Sequence, residues 1–392
     1  MTQQRIGVAV VGLGGAVATT AIAGVELLRL GMRDMAGLPL AHRTDLVPYE
    51  SMVFAGWDLA PDDLAKAAHV HRVVEPAQLD TVAGPLGRIS PWPAVADPAY
   101  CRNATGANAV PIGPLRERVA HLRADLAGFR AEISAHEVVV VNLASTEARP
   151  DPASPALRSP AAFEAGLDAD DPVITPGLLY AYAAIQEGCP YVNFTPGLGA
   201  DVPALLELAE RAGVPVAGKD GKTGQTLVKT VLAPAFRSRA LTVEGWYSTN
   251  ILGNRDGQIL DDPSSLASKL DTKGSVLNQI LGYDVEDHVV RIDYYRPRGD
   301  AKEAWDNIDL VGFLGQRMQL KVDFLCRDSI LAAPLVLDLV RLMAEAGRRG
   351  ERGAQEQLGY FFKAPVTRDG RTPEHALHAQ ERALLDWLDA PA

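Results

Sequence analysis

The segment that most restricts how this chain can fold is its first one. Residues 5–12, RIGVAVVG, form an apolar, β-branched run that breaks into Gly12-Leu13-Gly14-Gly15 and resumes as a helical apolar pattern from Val17 to Leu30. The predicted order is strand, tight turn, helix. Glycines in such a turn let the backbone approach a pyrophosphate, and the opening N–H groups of the helix supply donors and partial positive charge. The third glycine of the usual fingerprint is absent, with Val17 in its place. A second apolar run, Met52 to Ala55, ends in Gly56-Trp57-Asp58. A carboxylate at that strand end would accept hydrogen bonds from the adenosine ribose hydroxyls, which favours NAD over NADP. The same carboxylate would also serve as a plain helix-start residue.

The alternation continues. A long helix from about 114 to 135 precedes a strand over 137–142 (EVVVVN). A fourth strand over 191–194 leads into Thr195-Pro196-Gly197 and a helix around 202–212, and a fifth over 214–217 enters a lysine- and glycine-rich loop and a helix near 224–232. Strands alternating with helices predict a parallel sheet covered on both faces. Two Pro-rich stretches, 87–111 and 149–176, are expected to be long irregular loops. After Leu241 the character changes: 242–248, 288–294 and 318–325 predict strands with more alternation, Met318, Leu320, Val322 and Phe324 facing one way. The apolar helix over 330–343 and the tail return to the first unit. The expected fold is α/β, a Rossmann-type doubly wound parallel sheet formed by 1–241 and 329–392, with an α+β domain inserted at 242–328. Two domains also suit a length of 392 residues.

Charge narrows the partners. A net charge of −11 disfavours nucleic acid. No apolar run reaches the length of a membrane span, and the N-terminus runs into a strand rather than a signal peptide. Three scattered cysteines, Cys101, Cys189 and Cys326, give neither a disulfide framework nor zinc spacing and suit a reducing cytoplasm. Nine lysines stand against 29 arginines, and eight of the nine fall between Lys219 and Lys363. Either they cluster by chance on a solvated face, or they do what arginine cannot, since an ammonium can release its proton and a guanidinium does not.

Several segments gather chemistry-bearing residues. Gly218-Lys219-Asp220-Gly221-Lys222-Thr223-Gly224-Gln225-Thr226 follows a strand and opens a helix at the same sheet edge as the first glycine turn; its spacing is not that of a P-loop. Asn250, Asn254 and Asp256 lie in NILGNRDG. Lys269 and Lys273, four apart, would share a helix face and repel each other without an anion between them. Asp300 and Lys302 share a turn, Asp328 follows a strand, and Lys363 sits in the apolar context YFFKAP. A lysine there either snorkels to water or has a depressed pKa and a function. The histidine pairs His69/His71 and His375/His378 read as surface residues, and no metal site is expected from them.

Taken together, GWD at 56–58, KTGQT at 222–226, NILGNRDG at 250–257, SKLDTK at 268–273, GDAK at 299–302, CRDSILAAPLVLDLV at 326–340 and FFKAP at 361–365 resemble the myo-inositol-1-phosphate synthase family over nearly the whole chain. The likeness implies a Rossmann domain with an inserted catalytic and oligomerisation domain, and NAD returned unchanged after each turnover. It implies conversion of glucose 6-phosphate to an inositol monophosphate by oxidation, enolisation, aldol closure and reduction, in a cytoplasmic homotetramer. Under it the catalytic candidates are Lys269, Lys363, Lys302, Lys273, Asp220, Asp256, Asn250 and Asp328. The cofactor candidates are Gly12, Gly14, Gly15, Ala16, Val17, Asp58, Ser145, Thr195 and Asp300. A divalent or monovalent cation could assist. The sequence departs from eukaryotic members after the nucleotide-loop glycines and at Asn193-Phe-Thr-Pro-Gly, as in a compact prokaryotic branch. A cyclase of the same fold acting on another sugar phosphate, such as fructose 6-phosphate, is the alternative reading.

Overall fold

The computed structural model describes residues 5–101, 105–135, 137–253 and 276–391. Seven parallel strands form the first sheet: β1 (Ile6–Val11), β2 (Met52–Asp58), β3 (Trp92–Pro93), β4 (Glu137–Asn142), β5 (Tyr191–Asn193), β6 (Pro215–Gly218) and β11 (Gly353–Ala354), in the spatial order β11-β6-β5-β4-β1-β2-β3. The order reverses direction beside β1, so a crevice opens at the carboxyl ends of β1 and β4. Burial on both faces explains why the central strands are mostly apolar. Val8 and Val10 of β1 with Val139 and Val141 of β4 enter one core; Ala9, Val11, Val138 and Val140 enter the other. Helices α1 (Ala16–Arg29), α2 (Leu64–His71) and α3 (Pro76–Leu86) cover the first face together with α9 (Asp328–Arg348) and α10 (Leu377–Asp389). Helices α4 (Leu115–Ile133), α5 (Pro160–Asp168), α6 (Pro176–Gln186) and α7 (Pro203–Ala212) cover the second.

Helix α8 (Gly224–Ser238) leaves this sheet and packs Ala233 and Phe236 against a second one. That sheet comprises β7 (Thr242–Leu252), β8 (Asp287–Tyr294), β9 (Ala301–Val311) and β10 (Arg317–Arg327), in the order β10-β9-β7-β8, antiparallel except for the β7–β8 pair. Its inner face, with Trp246 and Ile308, is covered by α8 and by helical residues 276–281; its outer face leaves Trp305 and Leu325 exposed.

Several expectations need correction. The second Pro-rich stretch is not simply a loop, because Pro160 sits at the first turn of α5, where its missing N–H costs nothing. Strand β9 was not expected at all. His375 is buried, and His71 is only partly exposed.

Helix α9 ties the C-terminal part of the chain to residues 40–49. Arg341 donates to the carbonyls of Leu40, Arg43 and Val47 and to the Tyr49 hydroxyl, and lies 3.3 Å from Asp338, which also accepts from Tyr49 at 2.5 Å. Arg341, Asp338 and Tyr49 are buried, and burial pushes the Asp338 carboxyl up. Arg341→Met leaves a buried carboxylate without its cation, so a loss of about 3 to 5 kcal/mol in urea-denaturation stability is expected.

Candidate active site

A cavity of about 430 Å³ follows the carboxyl ends of the first sheet, and most of the chemistry gathers along it. At one end is the glycine turn. Gly12 and Leu13 donate their N–H groups to the Trp57 carbonyl at 2.8 and 3.0 Å, which bends the chain sharply between β1 and α1. Gly12 has φ +85, and a Cβ there would stand 3.1 Å from the Leu143 carbonyl oxygen, so the position rejects larger residues. Gly15 caps α1 with no side-chain hydrogen bond among the described residues, and the first turn of the helix, with its orphan N–H groups, lines the cavity. A pyrophosphate would satisfy them.

Asp58 ends β2 with Oδ2 accepting from Gly14 N at 2.8 Å and Oδ1 from Ala60 N at 2.9 Å. Asn108 fixes the same strand end by donating to the Asp58 carbonyl at 2.9 Å. His71 stands 2.7 Å from the Gly14 carbonyl through Nε2; a carbonyl only accepts, so that nitrogen carries the proton. Ala16, Val17, Ser145 and Thr195 line the cavity with these residues.

The other end is built by two distant segments stitched side by side. The chain from Phe361 to Val366 runs antiparallel to the loop after β6: Lys222 N donates to Phe361 O, Lys363 N to Asp220 O, and Val366 N to Gly218 O. This brings the Lys363 ammonium 2.7 Å from Asp220 Oδ1, both side chains buried. Asp220 is held at φ +59 by its own N–H bond to the Thr195 carbonyl. Its second oxygen, Oδ2, is buried with no hydrogen-bond partner among the described residues.

Lys302 approaches the same loop from the second sheet. Its Nζ lies 3.5 Å from Asp328 Oδ2, while Asp328 Oδ1 accepts from Thr223 at 2.9 Å. A Cβ on Gly224 would sit 3.6 Å from the Lys302 ammonium, so that charge stands over the first turn of α8. A cation beside a helix N-terminus is unfavourable unless an anion joins them. Next along α8, Gln225 donates to the Thr249 carbonyl at 3.0 Å and accepts from Asn250, whose Oδ1 is buried and unpartnered among the described residues.

Asp220, Thr223, Asp328 and Lys363 therefore share one cavity, with Lys302 behind Asp328 and Asn250 behind Gln225. Asp300 does not line that cavity; its Oδ1 accepts from Ser329 at 2.8 Å and the residue borders a second one. Asp256, Lys269 and Lys273 lie outside the described residues. Each of Lys363 and Lys302 faces a carboxylate rather than a second ammonium. That suits it to holding positive charge against an oxyanion.

His71, whose place at a helix end predicts a surface residue, borders the cavity instead, and Thr223 and Gln225 of KTGQT join the site with no sequence signal of their own. Lys222 in the same motif points away from the cavity, over the Tyr360 ring and onto Gln380, and burial pushes its pKa down to about 7. Among the described residues no group of three or more His, Cys, Asp or Glu is placed to hold a metal ion, and no helix is long and apolar enough to cross a membrane.

A parallel sheet of this order, a glycine turn under an uncapped helix and buried amines at its edge define a dinucleotide-binding Rossmann enzyme. Comparison with known proteins makes the class particular. The family model described as myo-inositol-1-phosphate synthase matches residues 28–389. Inositol-3-phosphate synthase 1 from Bacteroides thetaiotaomicron is 43% identical, the alignment covering 98% of this chain and 95% of that one; the protein of the same name from Oryza sativa subsp. japonica is 30% identical over 98% and 85%. The crystal structure of inositol-3-phosphate synthase from Caenorhabditis elegans superposes with a TM-score of 0.92 at 27% identity, covering 99% of this chain and 86% of that one. A myo-inositol-1-phosphate synthase-related protein from Thermotoga maritima gives 0.81 at 26%, covering 98% of each chain. The chain belongs to the myo-inositol-1-phosphate synthase family and is an NAD-dependent enzyme of that kind.

Proposed function

We propose that this chain converts D-glucose 6-phosphate to 1D-myo-inositol 3-phosphate, with NAD regenerated in every cycle. The observation that carries the reading is the convergence of Lys363–Asp220 and Lys302–Asp328 on the loop between β6 and α8, beside the glycine turn. NAD, when bound, supplies a hydride acceptor and later a donor. The chain's residues do the rest. Gly12, Gly14, Gly15, Ala16 and Val17 would receive the pyrophosphate at the open end of α1, Asp58 the ribose hydroxyls, and Ser145 and Thr195 the wall of the same trough. Lys363, positioned by Asp220, holds charge against the oxygens that become anionic when the sugar enolises and its C6 attacks C1. Lys302 and the first turn of α8 hold the phosphate, with Asp328 and Thr223 setting the distance between them. Asn250 fixes Gln225 at that turn, and Asp300 fixes Ser329 beside it. To Lys269 we assign the hydroxyl proton, to Lys273 a share of the phosphate, and to Asp256 the orientation of a lysine or hydroxyl.

The second sheet is proposed as the inserted catalytic domain, spanning 242–328 between segments 1–241 and 329–392. Its outer face, with Trp305 and Leu325 exposed, would supply the homotetramer contact.

Incubating the pure protein with glucose 6-phosphate and catalytic NAD, then identifying the product by phosphorus NMR, tests the reading. Many turnovers per NAD and an inositol monophosphate are expected; NADH accumulating in step with sugar consumption would refute it. Asp58→Ala is expected to weaken NAD binding about tenfold, measured by NADH fluorescence, because a charged acceptor at the ribose is lost and Gly14 N loses its partner.

A further inference from the structure

Beside the catalytic cavity lies a second, of about 670 Å³, between the end of α2 and the ends of β9 and β10. Arg72, Arg298, Arg327, His69 and His71 line it, with Asp300 as the one carboxylate among the described lining residues. Three guanidinium groups in one cavity stand out in a chain of net charge −11. Like charges collected from separate segments repel one another, and an anion among them relieves the repulsion.

The donors are only partly committed. Arg298 pairs with Glu303 through Nη2, but its Nε is buried with no partner among the described residues. Arg327 donates from Nη2 to the Arg72 carbonyl at 2.7 Å and holds Nε 3.9 Å from Asp300. Arg72 occupies the left-handed cap of α2 with φ +55; its side chain is exposed, and its guanidinium has no hydrogen bond or ion pair among the described residues. His69 leans on Asp80 and His71 on the Gly14 carbonyl, and His71 borders both cavities.

We propose that this second cavity binds a phosphate dianion, either the free ion or a phosphomonoester group, and that its occupation modulates turnover from outside the catalytic cavity. Guanidinium groups match phosphate through paired N–H donors, and here they come from two structural units, α2 and the β9–β10 end. The lining residues Ala301 and Arg327 immediately precede Lys302 and Asp328, and His71 borders both cavities. A bridging anion thus fixes the backbone that carries the Lys302–Asp328 pair and the imidazole that braces the glycine turn.

The experiment is titration calorimetry of the full chain with inorganic phosphate at saturating NAD, repeated with inositol monophosphate and with Arg72→Glu. It needs no turnover, so its failure is separable from failure of the functional reading. The parent protein is expected to bind phosphate, and R72E to bind it at least about tenfold more weakly. Turnover of R72E in phosphate-free buffer should match the parent, with phosphate acting non-competitively against glucose 6-phosphate on the parent only. A tighter Arg72-dependent response to inositol monophosphate identifies the product as the ligand; a tighter response to the free ion identifies that instead. Equal phosphate affinity in R72E, exclusion of phosphate by NAD, or purely competitive behaviour against the sugar overturns the proposal.

Discussion

Replacing Lys363 with methionine should lower turnover about a thousandfold while NAD affinity stays within about twofold of the parent. The ammonium sits 2.7 Å from Asp220 in a buried corner of the cavity, where few other donors could replace it. In such a setting one preorganised positive group aimed at a developing oxyanion is worth about 3 to 4 kcal/mol. The substitution also strands the Asp220 carboxylate, and that destabilises the fold. The double variant Lys363→Met with Asp220→Asn removes the stranded charge; it should recover melting temperature but not turnover. Product formation by phosphorus NMR, NADH fluorescence and thermal unfolding read the three quantities separately. Near-parental turnover in either variant would sink the role given to Lys363. A parallel collapse of NAD binding would instead make this corner part of the nucleotide site.

Much of the fold was legible because its signals are local. IGVAVV and the VVVV of EVVVVN are unbroken apolar runs, the pattern of a strand buried on both faces. Strand β9 escaped notice for the opposite reason. Its inward positions are Lys302, Ala304, Asp306, Ile308 and Leu310, and the two buried charges break the apolar alternation that announces a strand. Asp306 is accommodated there because Trp246 and Ser248 both donate to it, which no period in the sequence reports. The site divides in the same way. The glycine turn and Asp58 follow from strand and helix order. The meeting of Lys363 with Asp220, 143 positions apart, depends on how the 361–366 segment lies against the β6 loop. Family likeness proposed those two residues; pattern alone could not pair them. His71 gave no signal, because a histidine at a helix end reads as solvated until Gly14 is found 2.7 Å away.

Lys302→Ala is expected to raise KM for glucose 6-phosphate by about 10- to 100-fold, with a smaller fall in kcat. The reason is electrostatic. The Lys302 ammonium and the N-terminus of α8 are both positive, and only 3.6 Å separates that ammonium from the Cβ position of Gly224. Asp328, at the start of α9, offsets this in part by facing Lys302 and accepting from Thr223. A substrate phosphate between Lys302 and α8 would complete the compensation, so its loss should fall first on binding. Asp328→Asn makes the contrasting case. It keeps a hydrogen-bond partner for Thr223 but removes the counter-charge, so phosphate attraction rises while Lys302 loses its anchor. KM should then change little and kcat should fall, because a phosphate held at the wrong distance misplaces C5 and C6. Steady-state kinetics on the two variants decides between assignments. If Lys302→Ala left KM alone and abolished kcat, that ammonium would act on the reacting carbons, and the phosphate would have to be held elsewhere.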